Sequence, residues 1–190
     1  LACPSTHTGI AQLEDDAFDA TVAYHQTIGC ATLLVPWLPP EKRNTLASCT
    51  ETAAFFLKLL DKLKARGLRT GFHIHAEDAL PLEPPVGDGR SPWEIFADAT
   101  PADFILQYDT ANGMHGGTDP VATIRKHPGR SQLLHLKAFG DGTGTLTGHD
   151  GQSKAVLGSD DVDLAGVLQA ALEVGGTLWY IIELVGHPTL

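Results

Sequence analysis

Residues 132–137 read QLLHLK, inside the longer run HPGRSQLLHLKAFGDG. The body of the short run is apolar, and its end carries His135 and Lys137. Strand side chains alternate with period 2, so these two basic groups share one face. They are aimed the same way just where a strand passes into a Gly-rich stretch. Either they are surface residues or they form the rim of a site. The ends of the other apolar runs decide which.

Those runs alternate with helical patterns. Strands are expected at LACPST (1–6), ATLLVPW, LRTGFHIH, DFILQYD, QLLHLK and TLWYIIEL. Between the first two, QLEDDAFDATVAYHQTIGC places Leu13, Phe18, Val22 and Ile28 at helical spacing. Its first turn is acidic, which suits the positive end of the helix dipole, and Gly29 stops it. TLASCTETAAFFLKLLDKLKARG is the clearest helix and ends at Gly67. SPWEIFADA offers Ser91 as N-cap and Pro92 as first helical residue. DPVATIRKH repeats that start with Asp-Pro, and DVDLAGVLQAALEVGG is a helix stopped by Gly175 and Gly176. Six apolar strands alternating with five helices imply an α/β fold, a parallel sheet covered by helices. A chain of 190 residues with 43% hydrophobic content can bury one core, so residues 1–190 are read as a single domain. The long irregular stretch 138–160 is expected to be a functional lid or a mobile loop.

Almost every strand end is polar. The first run closes with Thr6 and is followed by His7, and the second ends at Pro36 and Trp37. The third ends at His73 and His75, followed by Glu77 and Asp78. The fourth ends at Asp109, the fifth at His135 and Lys137, and the sixth at Glu183. Parallel α/β folds bind ligands outside the carboxyl ends of their strands. Buried Asp, Glu and Lys are rare unless paired or metal-bound, so this row of ends reads as a site. Carboxylates mixed with imidazoles, and no thiolate among them, suit one divalent ion such as Mn, Mg, Co or Zn.

Composition narrows the classes. With 13 Lys+Arg against 23 Asp+Glu the net charge is −10, which opposes phosphate-tracking and predicts no nucleic-acid partner. Cys3, Cys30 and Cys49 show no CxxC spacing, which argues against a disulfide framework and for reduced thiols in a cytoplasmic setting. No apolar stretch approaches the roughly 20 residues of a membrane span, so no membrane partner is expected. The sequence begins at Leu1 rather than Met, which leaves localisation weakly determined.

The motifs GFHIHAED, LQYDTANGMHGGTDPVATIRKHPGR, LLHLK and WYIIEL, in this order and at these strand ends, resemble the sugar phosphate isomerase/epimerase family with its xylose isomerase-like TIM barrel. The similarity runs from about Leu1 to Glu183. It implies strands two to seven of an eight-stranded barrel, lacking the first and last strand-helix units. It further implies a metal held by Asp78, Asp109, His135 and Glu183. Glu77 competes with Asp78 for the first place: by strand alternation Glu77 shares a face with His73 and His75, unless a bend at the strand end reverses it. His73 and His75 match a substrate-binding His-x-His, and Lys137 matches the family's His-x-Lys. His7 would hold substrate hydroxyls, and Trp37 would form an apolar wall against a sugar face.

The implied chemistry is isomerisation or epimerisation of a small carbohydrate. A divalent metal on the substrate's carbonyl and hydroxyl acidifies the adjacent C–H and stabilises the enediolate. Glu183 and the acid at 77 or 78 then move the proton, with Lys137 beside them. A keto-sugar lyase or hydro-lyase would use the same enolate and the same groups. A phosphodiester nuclease on this barrel would want a basic groove, which the charge opposes. A carbohydrate-binding barrel without activity has no use for the retained Asp109, His135 and Glu183. Two exposed sheet edges would favour partnering, so a homo-oligomer is an open expectation.

Overall fold

The computed structural model describes residues 2–85, 89–140 and 156–184. Most of the stretch 138–160, expected as a lid or loop, therefore lies outside the described residues. The chain divides into two compact units, Leu1–His73 with Leu80–Leu106, and Ile74–Ala79 with Gln107–Leu190.

The first unit is built on the strands β1 (Thr6–His7), β2 (Thr32–Val35) and β3 (Arg69–His73), followed in order by β4 (Ile105–Gln107). β1 pairs with β2, and β2 with β3, in parallel register. Connections between them are the helices α1 (Asp15–Ile28) and α2 (Leu46–Lys64). Gly29 closes α1 at φ 68°, a left-handed turn that only glycine adopts freely. Thr45 caps α2 by accepting from the Ser48 amide at 3.0 Å. The expected strand over 1–6 is displaced: the ladder begins at Thr6 and includes His7. Pro4 has no N–H to give a ladder, which is one reason that the run before Thr6 does not pair.

The unit's core is aromatic. Phe56 of α2 packs against Phe72, Phe96 and Phe104 with ring centroids 5.6, 5.3 and 5.1 Å apart. Such offset and edge contacts add to the burial of these large side chains. Phe96 belongs to α4 (Pro92–Ala99), which follows α3 (Ala76–Ala79) in the chain. Ser91 caps α4 by accepting from the Glu94 amide, and Pro92 takes its first position, as the sequence predicts. Gly71 faces Ile105 so closely that a Cβ would run into the Ile105 carbonyl and side chain.

The second unit holds α3, α5 (Thr110–His115), α6 (Pro120–Lys126), β5 (Leu133–Lys137), α7 (Leu164–Ala170) and β6 (Trp179–Glu183). α7 continues as a π-helical turn over Ala171–Gly175. β5 and β6 are parallel, with Leu133 opposite Trp179, His135 opposite Ile181 and Lys137 opposite Glu183. Just past β4, Asp109 forms an isolated parallel bridge with His135, whose amide donates to the Tyr108 carbonyl at 2.9 Å. Five of the six expected strands are found where expected, and the first is displaced to Thr6–His7. α3 and α5 are additional to the five expected helices. Among the described residues no helix is long and apolar enough to cross a membrane.

Candidate active site

Asp109, His135 and Glu183 stand at the ends of successive parallel stretches of the second unit. Each offers one ligand atom, and these atoms all lie within 4.8 Å of one another. The local sequence explains how each is held. Asp109 is the N-cap of α5: its Oδ1 accepts from the Asn112 amide at 2.7 Å. That bond fixes the carboxylate and leaves Oδ2 buried without a hydrogen-bond partner. His135 shares a face of β5 with Lys137, as period 2 dictates, and its Nδ1 lies 3.7 Å from Asp109 Oδ2. Glu183 ends β6, with Oε2 2.9 Å from His135 Nδ1 and Oε1 2.8 Å from Lys137 Nζ.

The charges on these groups support one another. The His135 hydrogen bond, with the Lys137 ammonium beside it, holds the Glu183 carboxyl well below the usual carboxylate range despite partial burial. Burial alone would lower the His135 pKa. The carboxylates of Asp109 and Glu183 outweigh it and hold the imidazole above its ordinary 6.5.

A divalent cation fits these residues. Two donors sharing one small cation stand roughly 3.0–3.4 Å apart for bonds of about 2.1 Å. The 3.7 and 2.9 Å separations to His135 Nδ1 bracket that span. Oδ2 of Asp109 is fully buried and unsatisfied by hydrogen bonds, a costly state that a cation would relieve.

The other expected residues are distributed as follows. Asp78 is 1% exposed and its Oδ2 accepts from the His75 amide at 2.8 Å. Among the described residues it is not one of the three mutually close donors above. Glu77 is exposed. The alternation that grouped Glu77 with His73 and His75 does not hold, because β3 ends at His73 and residues 76–79 turn into α3. The helical turn, not a continuing strand, decides that Asp78 is the buried acid. In the first unit the rings of His7 and His73 lie 4.6 Å apart, with His73 buried and His7 exposed. His75 is half-buried, and Trp37 is 48% exposed beyond the end of β2.

Two supporting residues escaped the sequence reading. Thr110 Oγ1 donates to the Lys137 carbonyl at 2.6 Å and accepts from the Lys137 amide at 2.9 Å. It thereby ties the start of α5 to the end of β5. Asn112 Nδ2 donates to the Ile74 carbonyl at 3.0 Å. Both lie in TANGMH, which has poor helix formers and is not among the five helices expected from the sequence. The signal was Asp109 itself, since Asp is a strong N-cap.

No protein-family model and no curated protein matches the chain. Solved structures do match. A sugar phosphate isomerase/epimerase from Parabacteroides distasonis ATCC 8503 superposes with a TM-score of 0.77 at 18% identity, over 98% of this chain and 66% of that one. The IOLI protein with a binding zinc atom gives 0.69 at 13% identity, over 92% of this chain and 59% of that one. An L-ribulose 3-epimerase gives 0.56 at 16% identity, over 94% and 60%. At these identities the likeness shows the fold. The chain has the architecture of the xylose isomerase-like TIM barrels, and it spans 59–66% of the length of these three structures.

Proposed function

We propose that the chain is the metal-binding part of a sugar isomerase or epimerase. The observation that carries the reading is the buried Asp109 Oδ2, without a hydrogen bond, facing His135 Nδ1 and Glu183 at strand ends of this barrel fold. The solved structures with this fold include an isomerase/epimerase, an epimerase and a protein with bound zinc, which favours the same chemistry here.

Asp109, His135 and Glu183 would hold the cation, which supplies Lewis-acid polarisation of a substrate carbonyl. Glu183 is the carboxylate proposed to accept the proton from the carbon next to that carbonyl. In the arrangement described, His135 and Lys137 keep it strongly ionised, which makes it a weak base. Its Oε2 is engaged by the His135 atom that also faces Asp109. With the cation in place of the proton on that nitrogen, the hydrogen bond to Glu183 would be released. Lys137 stays beside the carboxylate and can place its ammonium against developing negative charge on the substrate oxygen. Asp78, the buried acid after β3, is the second carboxylate of the reading and returns the proton. The substrate-holding roles of His7, His73, His75 and Trp37 belong to this proposal and rest on the sequence. A small carbohydrate is the proposed substrate.

Metal analysis of the purified full-length protein tests the first half of the reading. Near one Mn, Mg, Co or Zn per chain, or a rise in melting temperature on adding one of them, is expected. Neither metal content nor stabilisation with any of the four would overturn it.

A further inference from the structure

The β1–β2 register pairs Thr6 with Leu33 and His7 with Leu34. Both pairs are separated by 27 positions (6 to 33, 7 to 34), and so are Cys3 and Cys30 (3 to 30). Neither cysteine is in the ladder, but both stand three residues before a paired residue, Cys3 before Thr6 and Cys30 before Leu33, so the two segments enter the β1–β2 pair side by side. Where the ladder begins, three residues on, neighbouring strands stand about 4.7–4.9 Å apart, inside the roughly 4.4–6.8 Å window of Cα separations that a disulfide spans. Cys30 is buried at 1% exposure, whereas Cys3 is half-buried and reachable. The thiols also feel one another. Burial, reinforced by the Cys3 thiol next to it, pushes the Cys30 thiol up. Cys49 is buried on α2, with its Sγ donating to the Arg43 carbonyl at 3.2 Å.

We infer that Cys3 and Cys30 are a redox modification site, a thiol pair that closes to an intramolecular disulfide and pins the short strand β1 against β2. The oxidant is a small-molecule disulfide of the oxidised-glutathione class. The Cys3 thiolate attacks one of its sulfurs, forming a mixed disulfide and releasing one thiolate. Cys30, once deprotonated, attacks the Cys3 sulfur and releases the second thiolate. Two protein thiols are oxidised, one external disulfide is reduced to two thiols, and both protons end on the released thiolates. The bond would hold β1, which has two residues in its ladder and carries His7, in the register that its few hydrogen bonds define. The device is independent of the metal reading, since neither cysteine belongs to the Asp109, His135 and Glu183 group.

The test is thiol counting on the full-length protein after equilibration with reduced and oxidised glutathione. Alkylation and intact mass should find three free thiols in the reduced sample and one in the oxidised sample, since the bond consumes two of the three. Peptide mapping should join Cys3 to Cys30 in one chain. Cys3→Ser should keep Cys30 from forming any intramolecular link, and this variant changes only a half-buried residue outside the strands. Exchange of the Thr8 amide, which donates to the Leu34 carbonyl, should slow about tenfold or more on oxidation. Three thiols persisting under excess oxidant, or a link through Cys49 or between chains, would overturn the site. A Cys3–Cys30 link that leaves Thr8 exchange unchanged would overturn the pinning.

Discussion

Nδ1 of His135 lies 2.9 Å from Oε2 of Glu183, across the neighbouring parallel strands β5 and β6, and the same nitrogen lies 3.7 Å from the buried Oδ2 of Asp109. One ring nitrogen therefore serves two carboxylates. A proton on it makes an ion pair, and its loss frees a lone pair aimed at the same place. A proton and the proposed cation would compete for one small volume.

The ion pair sets a pH dependence for the metal-free protein. His135 has a raised folded pKa, so its contribution to stability is complete below its unfolded value near 6.5 and is lost as pH rises through the folded value. Glu183 has a depressed folded pKa, so its contribution is present above its unfolded value near 4.5 and is lost as pH falls. In the presence of a chelator, the melting-temperature difference between the wild type and Glu183→Gln should be largest between pH 4.5 and 6.5 and shrink on both sides. A difference that is flat across pH 4–8 would contradict the pairing.

Asp109→Asn should retain the helix cap, because the Asn side-chain oxygen can still accept from the Asn112 amide, while the charge facing His135 is removed. Cation affinity, read by calorimetry, should fall by more than the roughly 10–100-fold that loss of an outer-sphere partner costs. His135→Ala should likewise weaken the cation first. Unchanged affinity in both variants would place the ion elsewhere.

Thr110→Val keeps the size of the side chain and deletes both hydrogen bonds to the Lys137 backbone. Leaving those buried groups without the hydroxyl should cost about 1–3 kcal/mol, measured by denaturant unfolding, and Thr110→Ser should recover most of it.

Gly71→Ala should destabilise the first unit by at least about 1–3 kcal/mol, because the new methyl meets the Ile105 backbone and not a flexible side chain. A neutral effect in thermal melting would mean that β3 and β4 approach less closely than described.

Much of the fold was legible because its signals are local. Ser91-Pro92 marked the start of α4, Gly29 the end of α1, and apolar runs bounded the six strands. That Asp109, His135 and Glu183 come together was legible too, since each stands at the end of an apolar run. What was not legible depends on where a strand stops. HIHAED continues a period-2 pattern on paper, yet the backbone turns into α3 after His75, which buries Asp78 and exposes Glu77. The helix at TANGMH was hidden by its Asn and Gly. Gly113 belongs there for packing, since a Cβ would collide with the Tyr108 ring, a contact between neighbouring elements that no local pattern announces.

The most direct test of the central claim is exchange of substrate hydrogen with solvent. Candidate sugars and keto-sugars are incubated in heavy water with the metal-loaded full-length protein, and the carbon next to the carbonyl is followed by NMR. At least one should incorporate deuterium, and Glu183→Gln should slow that incorporation by at least about 10²-fold while still binding the cation. Incorporation that proceeds equally well in Glu183→Gln, or cleavage of a phosphodiester with no exchange into any sugar, would contradict the account.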